Sequence, residues 1–288
     1  MPSETFRKIE TLAAGGIGYI FRHSIDRGRL SPDGFADLAD VSLFRDRWPT
    51  PDSREIRAAK VVFLANHDVE GFIEHYSSIC KPRVLIVGDG DRDWRSFDFP
   101  ELSCVRRVYL QNSYIQNDRK FRCLPIGIEN RKYGRNGMPY NFLDYYIRRR
   151  KLQGVFMGPL NETHPIRKVI SELDLRDIRN IYRLRMRISS VEFACESSRW
   201  THVLAPRGNG KDTHRFWETL YRGSVPVVES DEWSMNISSY GIPMETVSRW
   251  TNDEIKKVAE RPRTQPVDPK SIPALWRDYW KKSIKEVL

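Results

Sequence analysis

The sequence predicts an α/β protein of two layered domains, and three observations support this. From residue 60 onward, apolar runs of four to six residues alternate with helical or loop segments, as in buried parallel sheets. A polar stretch rich in Gly and Arg, residues 131–150, interrupts that alternation near the middle. A chain of 288 residues is long enough for two modest domains. We therefore expect one domain in residues 1–150 and another in residues 151–288.

Composition excludes several classes of protein. Hydrophobic residues make up 40% of the chain, and the 30% that are charged are spread among apolar runs, which is not typical of disorder. No apolar run reaches the roughly 18–20 residues that cross a bilayer, and residues 12–21 are too short and Gly-broken for an anchor or signal peptide. The four cysteines form no CxxC pair, which argues against a zinc site or a disulfide framework. We expect a cytoplasmic protein.

The net charge of +10 is concentrated in one basic block. Residues 148–187 hold eleven Lys or Arg residues against four Asp or Glu residues. Such a block suits an anionic partner, here a phosphate-bearing glycan or a peripherally contacted membrane, and the alternative is a solvated helix face. Nucleic acid is not an expected partner, because the sequence has no basic heptads, paired RNP aromatics or Cys/His finger.

The secondary-structure elements follow from the hydrophobic period. Short apolar runs predict strands at residues 61–65, 84–87, 105–110, 123–128, 154–157 and 202–205. Helical patterns predict helices at residues 4–21, 32–44, 68–79, 166–173, 191–199 and 272–287.

Residues 202–229 predict a strand, a loop, a helix, a turn and a second strand. Asp212 or Thr213 caps the helix, and Gly223 suits the left-handed position just past its end. Residues 225–228 form the returning parallel strand. The right-handed crossover places the Gly-rich loop at the carboxyl edge of the sheet, where open α/β sheets bind ligands.

This Gly-rich loop has the parts of an anion site. Gly208 and Gly210 let the backbone approach a ligand closely, and the N–H groups at the start of the helix point toward it. Arg207 and Lys211 add positive charge. A nucleoside diphosphate is therefore the expected ligand.

The helix that follows has a polar side formed by His214, Arg215 and Glu218. A carboxylate beside a diphosphate would be repelled unless it has another task. Glu218 is suited to accept hydrogen bonds from ribose hydroxyls. The alternative is an exposed salt bridge between Arg215 and Glu218, which would contribute roughly a few tenths of a kcal/mol.

The run VLAPRGNGKDTHRFWETLYRGSVPVV, residues 203–228, resembles the C-terminal signature of exostosin-like glycosyltransferases of the GT-B type. That signature has a PRG loop, a helix with Ser/Thr-x-Arg-aromatic-x-Glu, and a G-x-(I/V)-P-V strand. The matching positions are Arg207, Gly208, Thr213, Arg215, Glu218, Gly223, Pro226 and Val227. A looser likeness reaches upstream to PIGIEN at 125–130 and YLQN at 109–112.

The resemblance implies two Rossmann-like domains facing across a cleft (GT-B). It implies a glycosyltransferase that moves a sugar from a nucleotide sugar to a hydroxyl of a glycan or glycolipid, with inversion and without a metal or other cofactor. It implies that Arg207, Arg215 and the start of the helix hold the donor diphosphate and that Glu218 holds the ribose. Together with the loop and helix residues already named, the predicted donor-binding residues are Arg207, Gly208, Gly210, Lys211, Thr213, His214, Arg215 and Glu218. A fucosyltransferase-like enzyme and a non-catalytic glycan- or nucleotide-binding protein on a degenerate GT-B fold are the alternatives.

An inverting transferase needs a general base for the acceptor hydroxyl. The candidates are His67, Asp68 and Glu70, which follow the strand 61–65, and Glu129 at the end of the PIGIEN run. Asp68 also suits a helix cap. Arg167, which follows the strand 154–157, is a further candidate for the donor phosphates.

Asp89 and Asp91 form a DxD pattern after the strand 84–87. They either hold a divalent ion, as in GT-A enzymes, or belong to a turn rich in Asp and Gly. The turn is favoured, because the donor signature lies elsewhere in the chain. We therefore expect no metal site.

Overall fold

The computed structural model describes residues 28–43, 53–95, 102–130, 133, 136–262 and 265–288. They form an α/β structure with two sheets of five parallel strands each. The helix predicted at residues 4–21 lies outside the described residues. In the ranges just given, no helix is long and apolar enough to cross a membrane.

The first sheet follows the chain in sequence. Its strands are β1 Val41–Leu43, β2 Val61–Ala65, β3 Val84–Gly88, β4 Arg107–Gln111 and β5 Phe121–Leu124. They are arranged in the order β1-β2-β3-β4-β5. Strands β2 and β3 are buried at every position, as their continuous apolar runs predict. The strand order does not reverse anywhere in this sheet.

The second sheet has a reversal of strand order. Its strands are β6 Leu152–Met157, β7 Ile181–Arg183, β8 Trp200–Leu204, β9 Val225–Glu229 and β10 Glu245–Val247. They are arranged in the order β10-β9-β8-β6-β7. Strand β6 therefore pairs with β7 on one side and with β8 on the other. Such a reversal opens a crevice at the carboxyl ends of the two diverging strands.

Helices connect most of these strands. The α-helices of the described residues are α1 Pro32–Ala36, α2 Ser53–Ala58, α3 Val69–Tyr76, α4 Asp144–Arg148, α5 Pro165–Glu172, α6 Ser190–Ser197, α7 His214–Tyr221, α8 Glu232–Ser238, α9 Asn252–Ala259 and α10 Arg277–Lys285. Helix α7 follows Thr213, and Gly223 beyond its end has a left-handed φ of 78°, as predicted.

Three predicted elements have different bounds. The helix predicted at residues 32–44 is confirmed only over α1, which ends at Ala36. Beyond it the prediction is wrong, because residues 41–43 pair with β2 and this tertiary pairing overrides the helical pattern. Strand β5 ends before Pro125, which has no N–H to continue the ladder, so the strand predicted at 123–128 is displaced. The helix predicted at 272–287 is shorter, because two 3-10 turns that start at prolines precede α10.

One buried hydrophobic cluster contains residues from both sheets. It includes Tyr109 from β4, Trp217 from α7 and Trp280 from α10. The rings of Trp280 and Tyr109 meet edge to face with centroids 6.0 Å apart. The Tyr109 hydroxyl also makes a 2.8 Å hydrogen bond with Ser283. The C-terminal helix therefore packs on the first sheet, while α7 contacts residues of both halves of the chain.

Candidate functional site

A cavity of about 420 Å³ lies at the carboxyl ends of β6 and β8, where the strand order reverses. It is enclosed by the loops that follow β6 and β8 and by the first residues of the helices beside the second sheet. The loops that follow β3 and β5 of the first sheet complete the enclosure. Its lining residues are Asp91, Ile126, Glu129, Asn136, Pro159, Asn161, Thr163, Arg167, Arg187, Ile188, Ser190, Phe193, Gly208, Asn209, Gly210, Asp212, Thr213, His214, Arg215 and Glu218. The cavity therefore occupies the place where open α/β sheets bind ligands.

The cavity brings together most of the predicted site residues. Those that line it are Glu129, Arg167, Gly208, Gly210, Thr213, His214, Arg215 and Glu218. The predicted site residues outside its lining are His67, Asp68, Arg207 and Lys211.

Arg215 presents an unused donor at the cavity. Its Nη2 donates to the Pro159 carbonyl at 2.8 Å. Its Nη1 is buried and has no hydrogen-bond partner among the described residues. Burial, and then repulsion by Arg167, lowers the pKa of Arg215 to about 10, so the guanidinium remains charged at neutral pH. A buried guanidinium with an unused N–H is a group that an anionic ligand would satisfy.

Thr213 adds a hydroxyl beside this guanidinium. It stands at the N-cap of α7, where a Thr side chain usually accepts a hydrogen bond from the helix backbone, yet no such bond is present at this cap. Within the described part of the chain, its Oγ1 is buried without a hydrogen-bond partner. Thr213 lines the cavity at the start of α7, where the positive end of the helix dipole favours an anion.

Glu218 lies one turn further along α7 and is buried. Its carboxylate pairs with Nη2 of Arg222 at 3.4 Å. The predicted alternative, an exposed salt bridge with Arg215, is therefore wrong, because the pair that forms is buried and involves a different arginine. His214 joins α7 to the first sheet, since its Nδ1 lies 2.8 Å from the Gly127 carbonyl. A carbonyl only accepts, so this nitrogen carries the proton.

Arg167 holds the backbone of the PRG loop. Its Nε donates to the Arg207 carbonyl at 2.7 Å, and its Nη2 donates to the Pro206 carbonyl at 3.2 Å. A Cβ at position 208 would lie 3.2 Å from Arg167 Nη2, which is closer than ordinary contact. Gly208 therefore allows Arg167 to brace the loop while both line the cavity.

The remaining two cations of the motif are engaged in ion pairs. Arg207 pairs with Asp93 at 2.9 Å and so joins the loop to the first half of the chain. Lys211 is almost fully buried and pairs with Asp231 at 2.6 Å. Both residues therefore lie outside the cavity lining with their charges paired, and their role at a diphosphate stays a prediction.

Asp212 lines the cavity, and its contacts differ from the helix cap that the sequence predicts, because the N-cap position is Thr213. Its carboxylate accepts from the Ile126 N–H at 2.7 Å and from Trp217 Nε1 at 2.6 Å. Its own N–H donates to Asn112 Oδ1 at 2.7 Å. Burial raises the pKa of Asp212 to about 7. The residue thus fastens the start of α7 to two loops of the first sheet.

Among the four base candidates, only Glu129 lines the cavity. Glu70 is exposed and pairs with Arg92. Its Oε1 accepts from Asn136 Nδ2 at 2.9 Å. His67 is half-exposed, and Asp68 stands at the N-cap position of α3, away from the lining. Asp89 has a left-handed φ of 56° and accepts from Asn130, which is the geometry of a turn.

Several lining residues were not predicted as site residues, because they lie on loops without a sequence motif. Arg187 precedes α6, and its Nη2 donates to Asn161 Oδ1 at 3.0 Å. One local sequence pattern could have predicted where this part of the lining lies. Ser189 and Glu192 form a capping box, a pattern that marks the start of a helix and so the adjoining edge of the cavity.

The sequence matches neither a known protein-family model nor a curated protein. The resemblance to exostosin-like enzymes therefore rests on residues 203–228 and the looser upstream runs. The geometry itself places at α7 a guanidinium N–H and a threonine hydroxyl without hydrogen-bond partners among the described residues, a buried carboxylate one turn away, and a second carboxylate, Glu129, in the same lining.

Proposed function

We propose that the chain is a GT-B glycosyltransferase that transfers a sugar from a nucleotide sugar to a hydroxyl of a glycan or glycolipid. The observation that carries the proposal is the cavity at the reversal between β6 and β8. There, Arg215 Nη1 and Thr213 Oγ1 are buried without hydrogen-bond partners among the described residues. A diphosphate supplies the oxygens that both groups lack.

The lining suggests how the donor is held. The diphosphate lies at the start of α7 against Thr213 and Arg215, with the loop braced by Arg167. Glu218, one turn along the same helix, accepts hydrogen bonds from the ribose hydroxyls. The acceptor enters from the wall formed by the first half of the chain, where Glu129 lies. The cationic groups then stabilise the negative charge that grows on the departing diphosphate.

The proposed reaction is a single displacement at the anomeric carbon. The acceptor hydroxyl oxygen forms the new bond to that carbon, and the bond from the carbon to the donor phosphate oxygen breaks. The hydroxyl proton passes to the Glu129 carboxylate, and the nucleoside diphosphate leaves. Attack from the side opposite the leaving group inverts the configuration.

The variant Glu129→Gln tests this reaction. It replaces the proton-accepting carboxylate with an amide of nearly the same size. The rate of sugar transfer is therefore expected to fall about 10²–10⁴-fold, while nucleotide affinity stays unchanged. The measurement is release of nucleoside diphosphate from a panel of nucleotide sugars in the presence of glycan acceptors. Glu260→Gln, at an exposed position on the second half, serves as the matched control.

Two outcomes contradict the proposal. Full activity of Glu129→Gln would remove that residue from the reaction. A wild-type chain that binds nucleotides yet releases none from any nucleotide sugar would instead be a non-catalytic nucleotide-binding protein.

A further inference from the structure

A second depression, of about 370 Å³, lies where the C-terminal helix α10 packs on strands β4 and β5 of the first sheet. It is lined by residues 107, 109, 122, 240, 279, 280, 282, 283 and 286, and we name it the α10 pocket. Among the described residues, none lines both this pocket and the cavity at the start of α7. Its volume lies within the roughly 300–1,000 Å³ of small-ligand sites, so it is large enough for a ligand of its own.

The spacing of residues on two strands and one helix builds the α10 pocket. Arg107 and Tyr109 are two positions apart on β4 and so lie on the same face of the sheet. Arg122 of β5 is the register partner of Tyr109 and lies on that face beside it. On the opposite wall, residues 279, 282, 283 and 286 recur at the spacing of one helix face. A 2.8 Å hydrogen bond between the Tyr109 and Ser283 hydroxyls joins the two walls.

The floor of the α10 pocket is aromatic. Tyr109 and Trp280 are almost fully buried, and the Tyr240 ring lies edge to face with Trp280 at 5.1 Å. The Tyr240 hydroxyl is engaged, because it donates to the Cys123 carbonyl at 3.0 Å. Tyr279 lies above this floor, with its ring 5.3 Å from Trp280 and 37% of the residue exposed. The C–H groups of sugar rings pack on aromatic faces, so the accessible Tyr279 ring suits a sugar.

The lining of the α10 pocket carries an excess of positive charge. In the described lining, three cations, Arg107, Arg122 and Lys282, accompany one carboxylate, Glu286. None of the three cations forms an ion pair within the part of the chain that the structure describes. A ligand with an anionic group would therefore meet positive charge that no protein carboxylate neutralises.

Arg122 is the cation with the most unused donors. Its side chain is half-buried, and its guanidinium makes no hydrogen bond or ion pair with the described residues. Arg107, by contrast, donates through Nε to the Arg119 carbonyl at 3.2 Å and through Nη1 to the Ser283 carbonyl at 3.4 Å. Lys282 lies in the last turn of α10, where a lysine also complements the helix dipole. The planar N–H groups of Arg122 remain available for a phosphate, which guanidinium groups bind through paired hydrogen bonds.

We propose that the α10 pocket binds a phosphorylated hexose. The phosphate lies at Arg122 with Lys282 beside it, and the sugar ring packs on Tyr279. The carboxylate of Glu286 would repel an ion that is only anionic, whereas it accepts hydrogen bonds from sugar hydroxyls. One anionic group and several hydroxyls on an apolar ring face match this lining. A free hexose phosphate and a phosphorylated sugar within a glycan share this chemistry. The proposal does not rest on the proposed function, because the two sites share no lining residue.

Isothermal titration calorimetry measures binding of glucose 6-phosphate, mannose 6-phosphate, glucose 1-phosphate and galactose 1-phosphate. At least one of the four is expected to bind about tenfold or more tightly than inorganic phosphate or the unphosphorylated sugar. The methyl glycosides of the two 6-phosphates have a blocked anomeric carbon, as in a glycan. Their binding as tightly as the free 6-phosphates supports a phosphorylated glycan as the ligand, and binding of the free hexose phosphates alone supports a small molecule.

Two neighbouring lysines provide a matched pair of variants. Lys282 lines the α10 pocket, whereas Lys281 is exposed on the same helix and lies outside the lining. Lys282→Gln is expected to weaken hexose phosphate binding at least about threefold, and Lys281→Gln to leave it unchanged. Arg122→Gln and Tyr279→Leu are each expected to weaken it about tenfold, through loss of the phosphate contact and of the ring contact respectively. Thermal melting of each variant checks that the fold is intact.

Separate readouts distinguish this proposal from the proposed function. Arg122→Gln is expected to keep wild-type affinity for nucleoside diphosphates, and Arg215→Gln to keep wild-type affinity for the hexose phosphate. Loss of hexose phosphate binding in Arg215→Gln would overturn the proposal, because the ligand would then lie in the cavity at α7.

Three further results would also overturn the α10 pocket as a sugar phosphate site. The first is that none of the four hexose phosphates binds, or that inorganic phosphate binds as tightly as the best of them. The second is an equal loss of affinity in Lys281→Gln and Lys282→Gln, which would indicate a diffuse effect of surface charge. The third is tighter binding of phosphotyrosine than of every hexose phosphate, which would favour a phosphorylated protein partner.

Discussion

At the scale of single residues, Asp212 joins the cavity to the rest of the fold. Its carboxylate is buried and accepts from Ile126 and Trp217, which lie in different halves of the chain. A buried carboxylate is costly in its charged form even when N–H groups donate to it. This explains why burial raises its pKa to about 7, well above the usual range.

The raised pKa of Asp212, about 7, predicts a pH dependence of stability. Between about pH 4, where the unfolded carboxyl titrates, and about pH 7, the folded state keeps a proton that the unfolded state has lost. The stabilising contribution of Asp212 is therefore complete below about pH 4 and is lost as the pH rises to about 7. Its size is on the order of 1–4 kcal/mol, since one pKa unit corresponds to about 1.4 kcal/mol.

The test is urea unfolding of the wild type and of Asp212→Asn between pH 4.5 and 7.5. Asn does not titrate, so this part of the pH slope is expected to disappear. Asp177→Asn, which alters an exposed carboxylate, is expected to keep the wild-type slope. Equal slopes for the wild type and Asp212→Asn would show that this carboxyl does not titrate differently in the two states.

Residue types and spacing predicted part of the site. The placement of Thr213, Arg215 and Glu218 follows from helix geometry, because residues on one helix keep a fixed spatial relation to one another. Arg207 and Lys211 lie in a loop, where spacing does not determine which way a long side chain points. Their partners, Asp93 and Asp231, are distant in sequence and were not predictable from a single chain.

At the scale of elements, one buried lysine stabilises three helix ends. Lys151 Nζ donates to the carbonyls of Tyr146 in α4, Ser198 at the end of α6 and Arg222 at the end of α7, at 2.7–2.9 Å. The last carbonyls of a helix have no partner within it, so the N–H groups of Lys151 satisfy acceptors that would otherwise be unpaired. Burial, and then repulsion by Arg149 and Arg222, lowers the pKa of Lys151 to about 7, so these hydrogen bonds rather than a full positive charge carry its contribution at neutral pH. The residue lies inside the basic block 148–187, so part of that block is structural rather than a surface for partners.

The variant Lys151→Met is expected to lower the free energy of unfolding by about 2–4 kcal/mol, because three buried carbonyls lose their donor. Denaturant unfolding monitored by tryptophan fluorescence measures the change. Lys168→Met, at an exposed position on α5, is the control and is expected to stay within about 0.5 kcal/mol of the wild type. If both variants unfold alike, the three-helix contact does not contribute to stability.

Elements with a strong local signal were predictable, and elements that depend on distant partners were not. Strands β2 and β3 are continuous apolar runs and were found near their true bounds. Strand β1 is short and is stabilised by its pairing with β2, so local pattern alone suggested a helix. Helix α6 carries a capping box at its start and was also found.

At the scale of the whole molecule, the cavity depends on how the two sheets meet. The pattern of a helix followed by the strand at 225–228 predicts where the carboxyl edge of the second sheet lies. It does not predict which loops of the first sheet lie against that edge. Asp212, His214 and Arg207 each bond to the first half and so fix that arrangement. These contacts join residues 86, 87 and 114 positions apart, a separation that hydrophobic periodicity does not encode.

The most direct test is whether the cavity binds a nucleoside diphosphate through Arg215. Isothermal titration calorimetry with UDP, GDP, ADP, CDP and TDP measures the affinity of the wild type, Arg215→Gln and the control Arg249→Gln. At least one of the five is expected to bind, with affinity about 10–100-fold weaker in Arg215→Gln and unchanged in Arg249→Gln, because a charged hydrogen bond contributes roughly 1.5–3 kcal/mol. Failure of all five nucleotides to bind, or equal affinity of Arg215→Gln and the wild type, would contradict a nucleotide site at the start of α7.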